Sequence, residues 1–403
     1  MKKICFITGT RADYGIMAPI MHELSQSPEV QLQIIATNMH LSPDYGMTVN
    51  EIEADGFKVD VKVESLVPGD SASSTVRSMA KVEEGLSDAF EILKPDLIVI
   101  LGDRYEALAA ASAAVVFNIP IAHLHGGETT EGAIDDAFRH AITKLSTFHF
   151  AATPQYVEKI ISMGENPELV FHSGAPGAEC RSGVISESEN ESENLFPPKE
   201  IQSLAEDFYS KTGLYPGEPF ILLAFHPVTM QKDRGINDLR ATLDALDTFI
   251  SQGYKILVTM PNSDPGNAGI RNLIKDWATQ AATSLNPNSS GVILVESLGS
   301  RLFHYAMDTA LAMVGNSSAA LIEAPTHRLP SINVGIRQKG RARGITVIDV
   351  PGDKKRIETA LQGALSMEMK SVLMGLTVAS LNPYYKENSS KFIADKLISL
   401  NLP

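Results

Sequence analysis

A series of short turns in this chain carries residues able to move protons or to hold an anion. In Thr8-Gly9-Thr10-Arg11-Ala12-Asp13-Tyr14-Gly15, Gly9 lets the backbone turn sharply and Arg11 sets a cation at the opening of a helix. Both suit an anionic ligand such as a phosphate. The run is neither a GxGxxG nor a Walker sequence, and alone it reads as a structural turn. Gly102-Asp103-Arg104-Tyr105-Glu106 offers Asp103 either as a helix cap or as a catalytic carboxylate. In His123-Leu124-His125-Gly126-Gly127-Glu128 the two histidines are two residues apart and share one side of an extended strand. With Glu128 they resemble a metal set, but nothing else in the chain has ligand spacing, so no metal is expected. Proton transfer is the better use of these imidazoles, and the adjacent glycines let backbone press close to a ligand.

Further along, Asp135 and Asp136 open a helix that also carries Arg139 and His140. Acids in a first turn are favoured by the helix dipole alone, yet Asp135 and Arg139 are four apart and can share a face. Asp103 and Asp135, from separate turns, form a pair of carboxylates suited to acid/base work in a dry site. In the second half, Phe225-His226-Pro227-Val228-Thr229 sets His226 just past a strand, and Met260-Pro261-Asn262-Ser263 follows the next one. Val314-Gly315-Asn316-Ser317-Ser318-Ala319 leads into a helix expected to carry Glu323 about two turns in. Its N–H groups and hydroxyls suit a diphosphate and Glu323 suits ribose hydroxyls; the plain alternative is a serine N-cap. Arg337, Arg341 and Arg343 then supply cations.

The elements that must position these residues alternate between short β-branched runs and helical patterns. Strands are expected over Lys3–Thr8, Leu32–Thr37, Phe57–Val61, Asp96–Leu101, Ile119–His123, Phe148–Ala151 and Val170–Ser173. A second series covers Phe220–Ala224, Lys255–Thr259, Val292–Val295, Leu311–Val314, Ser331–Val334 and Ile345–Val350. Helices between them include Ser74–Leu93, Tyr105–Phe117, Ala133–Leu145, Asp238–Ser251 and Ile270–Ala282. Such alternation implies right-handed βαβ units, and apolar runs without alternation, such as Leu97-Ile98-Val99-Ile100, imply parallel strands buried on both faces. The expected fold is α/β: two doubly wound Rossmann-like domains facing across a cleft, with ligands beyond the carboxyl ends of the strands. Residues 1–180 form the first domain, rejoined by a C-terminal helix within 382–403; 181–200, including the acidic run Ser186–Asn194, form a linker; 201–381 form the second domain.

Composition narrows the function. The 403 residues carry 34 Lys plus Arg against 48 Asp plus Glu, a formal charge of −14, so nucleic acid and anionic membranes are poor partners. Cys5 and Cys180 are too few for a disulfide scaffold or a cysteine-rich zinc site and fit a reducing, cytoplasmic setting. The apolar run after Met1-Lys2-Lys3 stops at Gly9 and is too short for a secretory core, and the Ala107–Ala122 stretch is broken by Asn118 and Pro120.

In this order, Gly-Thr-Arg-Ala-Asp-Tyr from Gly9, Gly102-Asp103-Arg104, Gly126-Gly127-Glu128, Ile134-Asp135-Asp136 with Arg139-His140, His226-Pro227-Val228-Thr229, Gly315-Asn316-Ser317-Ser318, Gly335-Ile336-Arg337-Gln338-Lys339-Gly340-Arg341 and Asn382-Pro383-Tyr384 form a specific set. Over nearly its whole length the chain resembles the hydrolysing UDP-N-acetylglucosamine 2-epimerases of sialic acid biosynthesis. The resemblance implies a GT-B fold, a homodimer or homotetramer, no bound cofactor, and a UDP-sugar substrate. It implies that UDP-N-acetylglucosamine and water give UDP and N-acetylmannosamine, through elimination of UDP to a glycal and hydration with inversion at C2. By matching position, Asp103 and Asp135 are acid/base candidates, joined in the catalytic set by His125, Glu128 and His226, the last as a diphosphate contact. Arg11, Asp13, Arg104, His123, Arg139, Asn262, Asn316, Ser317, Ser318, Glu323, Arg337 and Arg341 are implied substrate contacts. The sugar chemistry falls to the first domain and UDP binding to the second.

Two departures stand out. The family pattern often has Glu at the position of His125 and Lys near Gly15-Ile16. Histidine can do proton work at neutral pH, so the activity is expected to be kept. Both changes suit a modified substrate such as a UDP-linked 2,4-diacetamido-6-deoxy sugar on the legionaminic acid route. Rival expectations are a GT-B glycosyltransferase, a nucleotide-sugar sensor, and a non-hydrolysing epimerase, whose first turn usually reads Gly-Thr-Arg-Pro-Glu.

Overall fold

The apolar runs become two wholly parallel sheets in the computed structural model, which describes residues 1–179, 198–284 and 291–402. The first sheet contains β1 (Lys2–Thr8), β2 (Val30–Thr37), β3 (Val61–Val63), β4 (Leu97–Leu101), β5 (Ile121–Leu124), β6 (Phe148–Ala151) and β7 (Val170–His172), in the order β3-β2-β1-β4-β5-β6-β7. The second contains β8 (Phe220–Ala224), β9 (Lys255–Thr259), β10 (Val292–Val295), β11 (Ala312–Gly315), β12 (Ser331–Val334) and β13 (Val347–Val350), in the order β10-β9-β8-β11-β12-β13. The strand order reverses between β1 and β4 in one sheet and between β8 and β11 in the other. At such a switch point adjacent connections leave on opposite faces and open a crevice at the carboxyl ends of the strands.

Each sheet has a core on both sides, and successive residues of a strand supply opposite cores. Ile4 and Phe6 join Leu97 and Val99 on one face of the first sheet, while Cys5 and Ile7 join Ile98 and Ile100 on the other. In the second sheet Ile221 and Leu223 face one core and Phe220 and Leu222 the opposite one. Hence the unbroken apolar runs.

By its contacts the chain divides into two units. The first takes Met1–Thr130, Ile134–Glu179 and the chain from Tyr384 onward; the second takes Glu131–Ala133 and, of the described residues, 198–383. The returning helix Ser389–Ser399 lays Ile393, Ala394 and Leu397 into the core that holds Ile4 and Met17. Lys2 Nζ donates to the carbonyls of Leu397, Ile398 and Leu400 at 2.7–3.0 Å, satisfying a helix end that has no internal donors.

Some expected elements move. The third strand forms over Val61–Val63, not Phe57–Val61. Asp60 instead bonds across to Ile34, its N–H donating to Ile34 O at 2.9 Å and its carboxylate accepting from Ile34 N at 3.0 Å, so ladder pairing starts one residue later. Phe57 and Val59 pack on the core without pairing. The acidic run Ser186–Asn194 lies outside the described residues; of the expected linker 181–200, the end is helical, because a helix spans Pro198–Thr212. Among the described residues no helix is long and apolar enough to cross a membrane.

Candidate active site

At the first switch point, β1 ends at Thr8 and the helix Arg11–Ser25 begins three residues later, capped by Thr10, whose hydroxyl accepts from Asp13 N at 3.3 Å. Gly9 is required between them. A Cβ there would lie 2.6 Å from Cγ and 2.7 Å from Oε1 of Glu106, a buried residue paired through Oε1 with Arg104 Nε at 2.7 Å. Asp13 borders the same group. Burial pushes its carboxyl up to about 7, with the charge of Glu106 adding to the shift and that of Arg104 opposing it. Arg11 is partly exposed at the mouth of this turn.

Asp103 follows β4 and is ion-paired with Arg139 Nη2, the guanidinium being almost fully buried while the carboxylate is partly exposed. Arg139 comes from the helix Asp135–Leu145, and its Nη1 donates to Glu128 O at 3.1 Å and Thr130 Oγ1 at 3.0 Å. One arginine therefore ties the turns after β4 and β5 together. Asp136 lies 3.8 Å from Arg139 Nη1, and Asp135, partly exposed, is the first residue of the helix.

The two histidines of the next turn part company. His123, fully buried on β5, donates through Nε2 to Gly102 O at 2.7 Å and has Thr143 Oγ1 3.3 Å from Nδ1. Burial lowers its pKa to about 3, so it is a neutral strut beneath the Asp103 turn. β5 ends at Leu124, and His125 has φ +63, a left-handed conformation in which strand alternation no longer applies. The expected same-side pairing of His123 and His125 on an extended strand therefore gives way. His125 Nδ1 instead meets Glu128 Oε1 at 2.6 Å, with both side chains buried.

The second switch point is built from amides. Gly315, at φ +135, ends β11 so close to β8 that a Cβ would lie 2.0 Å from Ala224 O. Asn316, fully buried, then reaches across: its Oδ1 accepts from His226 N at 2.7 Å and its Nδ2 donates to His226 O at 2.8 Å. Asn316 O in turn accepts from Gln338 Nε2 at 2.8 Å and Arg337 Nη1 at 3.3 Å, and Arg337 Nε donates to Pro227 O at 3.3 Å. Arg341 reaches Gln338 Oε1 at 3.3 Å. Ser317 is buried with its hydroxyl accepting from Ala319 N, and Asn262 lies just past β9, partly exposed.

Here one expectation is corrected. The helix after Ser318 is a single turn, Ala319–Ile322, and Glu323 is its C-cap rather than a residue two turns inside. Pro325 cannot continue the helix, and a 3₁₀ turn, Ala324–His327, follows. Burial pushes the Glu323 carboxyl up to about 7.

Glu106 and Gln338 were not singled out from the sequence, although both lie inside motifs that were. Neither position advertises its role: a glutamate in a first helical turn and a glutamine among arginines are ordinary. Only the close approach at Gly9 and the bond to Asn316 O distinguish them.

Two doubly wound units with polar residues gathered at each switch point define an α/β protein of the GT-B class. The chain belongs to the UDP-N-acetylglucosamine 2-epimerase family, whose sequence model matches residues 22–398, and within it stands with the hydrolysing members. It is 36% identical over 348 residues to the GDP/UDP-N,N'-diacetylbacillosamine 2-epimerase (hydrolyzing) of Campylobacter jejuni, covering 86% of this chain and 84% of that protein. It is also 36% identical over 370 residues to the UDP-N,N'-diacetylbacillosamine 2-epimerase (hydrolyzing) of Legionella pneumophila, covering 91% and 89%. Its fold is that of the UDP-GlcNAc 2-epimerase of Neisseria meningitidis solved with UDP-GlcNAc, with a TM-score of 0.76 at 19% identity over 99% of this chain and 100% of that one.

Proposed function

We propose that this chain converts a UDP-linked 2-acetamido sugar and water into UDP and the free 2-epimerised sugar, with UDP-N,N'-diacetylbacillosamine as its preferred substrate. The observation that supports it most is the pairing of Asp103, on the turn after β4, with Arg139 of the helix Asp135–Leu145, together with the buried His125–Glu128 pair on the turn after the adjacent strand β5. The proton beside an acetamido carbon is barely acidic, so departure of the diphosphate leads. The C1–O bond breaks with its electrons going to UDP, and a base removes the C2 proton to leave a C1–C2 double bond. Asp103, an ion-paired carboxylate, serves as that base. Water then adds at C1 while an acid protonates C2 from the opposite face. The His125–Glu128 pair can share and deliver that proton, with Asp135 the further acid/base candidate.

Around this chemistry, Arg11, Arg104 and Arg139 balance charge near the sugar, with Asp13 as a hydrogen-bonding neighbour and His123 as a support for the Asp103 turn. His226, Asn262, Asn316, Ser317, Ser318, Arg337 and Arg341 hold the leaving UDP, and Glu323 takes the ribose hydroxyls. Stabilising the leaving diphosphate is where such donors matter most, because charge develops there in the transition state.

Two relatives named for the diacetamido sugar, each matched over more than four-fifths of its length, favour that substrate. The family description favours UDP-N-acetylglucosamine as the second reading. Proton NMR of both sugars with purified protein in heavy water tests the proposal. Free 2-epimer bearing deuterium at C2, alongside UDP, is expected, with the diacetamido sugar consumed faster. Release of the unepimerised, unlabelled sugar overturns the epimerase reading, and faster turnover of UDP-N-acetylglucosamine reverses the substrate assignment.

A further inference from the structure

A buried polar chain in the second unit has no part in the chemistry above. His304, on the helix Gly299–Thr309, and His327, at the end of the turn Ala324–His327, stack with ring centroids 5.1 Å apart. His304 Nδ1 is 2.9 Å from His327 Nε2, and His327 Nδ1 is 2.5 Å from Asp308 Oδ1. All three side chains are buried, on elements that also send Tyr305, Met307 and Ala324 into one apolar core. Buried polar side chains are costly unless hydrogen-bonded. A carboxylate can only accept, so His327 Nδ1 carries a hydrogen and donates to Asp308. A single hydrogen then lies between the two rings. Burial and the neighbouring His327 hold His304 well below the ordinary histidine range, so His304 is neutral.

The chain grips the turn that begins one residue after Glu323. Glu323 N donates to Ala319 O and its carbonyl accepts from Thr326 N, both at 3.0 Å. From the other side, Asn382 Nδ2 donates to Ile322 O at 2.8 Å and to Thr326 Oγ1 at 2.9 Å. The backbone of Glu323 is thus clamped before and after, in a stretch too short and too interrupted by Pro325 to be rigid as a helix.

We propose that Asp308, His327 and His304 are positioning residues that aim Glu323 at the ribose of the UDP group. This rests on the ribose role given to Glu323 above. A chain that only stabilises the fold alters binding of every uridine nucleotide alike; one that aims Glu323 alters only those bearing ribose hydroxyls.

Calorimetric titration with UDP and with 2′,3′-dideoxy-UDP separates the two. His327→Phe keeps the ring and removes both nitrogens; it is expected to weaken UDP about tenfold and the dideoxy nucleotide less than twofold. Asp308→Asn, which still accepts from His327 Nδ1, is expected to stay within about threefold of the parent for both. Should His327→Phe prove unfolded by circular dichroism, His304→Phe cuts the chain at its other end and the same split is expected. Equal weakening of both nucleotides, or of neither, overturns the positioning role while Glu323→Ala still weakens UDP alone. If Glu323→Ala weakens both nucleotides equally, the ribose role itself fails and the proposal goes with it.

Discussion

The two switch points share a topology and differ in chemistry. Beyond β1, β4 and β5 the contacts join ionisable side chains: Arg104 with Glu106, Asp103 with Arg139, His125 with Glu128. Beyond β8 and β11 they are amide and backbone bonds centred on Asn316, with Gln338 and the Arg337 guanidinium drawn onto the same carbonyl. A doubly wound sheet supplies only a place, a set of loops at the carboxyl ends of its strands. Buried ion pairs there give groups whose protonation can change, which reaction at a ring carbon needs. A lattice of amides and permanently charged arginine has no charge state to change and holds loops in one shape, which suits grasping a group that does not react.

Substitutions break the comparison in order of size. Asp103→Asn is expected to lower kcat by at least about a thousandfold, because it removes the proposed base, while UDP affinity stays within about twofold. Single-turnover kinetics with parallel UDP titration checks this, and a large loss of UDP affinity would move Asp103 out of the acid/base set. Asn316→Ala should do the reverse. Leaving His226 N and O without their partners costs about 2 kcal/mol, read as roughly thirtyfold weaker UDP binding with a smaller change in kcat.

The smallest effect concerns Asp13, whose folded pKa is raised to about 7 by burial. A raised carboxyl pKa favours folding while the group is protonated, and that contribution fades as pH climbs from the ordinary carboxyl range through 7. Asp13→Asn cannot ionise, so it should unfold at a higher temperature than the parent at pH 8 and at about the same temperature near pH 4. Melting curves across that range test the sign; equal curves at pH 8 would show that Asp13 ionises freely in the fold.

Much of the fold can be read along the chain. Strand positions follow from short apolar runs such as Leu97–Leu101 and Phe220–Ala224, because a strand buried on both faces has little choice of residue. Where side chains overrule local pattern, the reading slips. Asp60 displaces the start of β3, and Pro325 shortens the helix before Glu323. The turns that carry the candidate site were visible as polar motifs after strands, but the pairings inside them were not. Helical spacing matches Arg139 to Asp135, whereas its ion pair is with Asp103, 36 residues earlier and on another element.

Local chemistry therefore decided which residues stand at the carboxyl ends of the strands, since strand length, turn glycines and capping residues act over a few positions. Which of those residues meet was left to tertiary packing. Gly9 is explained by Glu106, Gly315 by Ala224 O, and Asn316 by His226, each a contact between segments about 90 residues apart. Such contacts obey no periodicity of the chain; they exist because crossing over a twisted sheet brings distant loops to one edge.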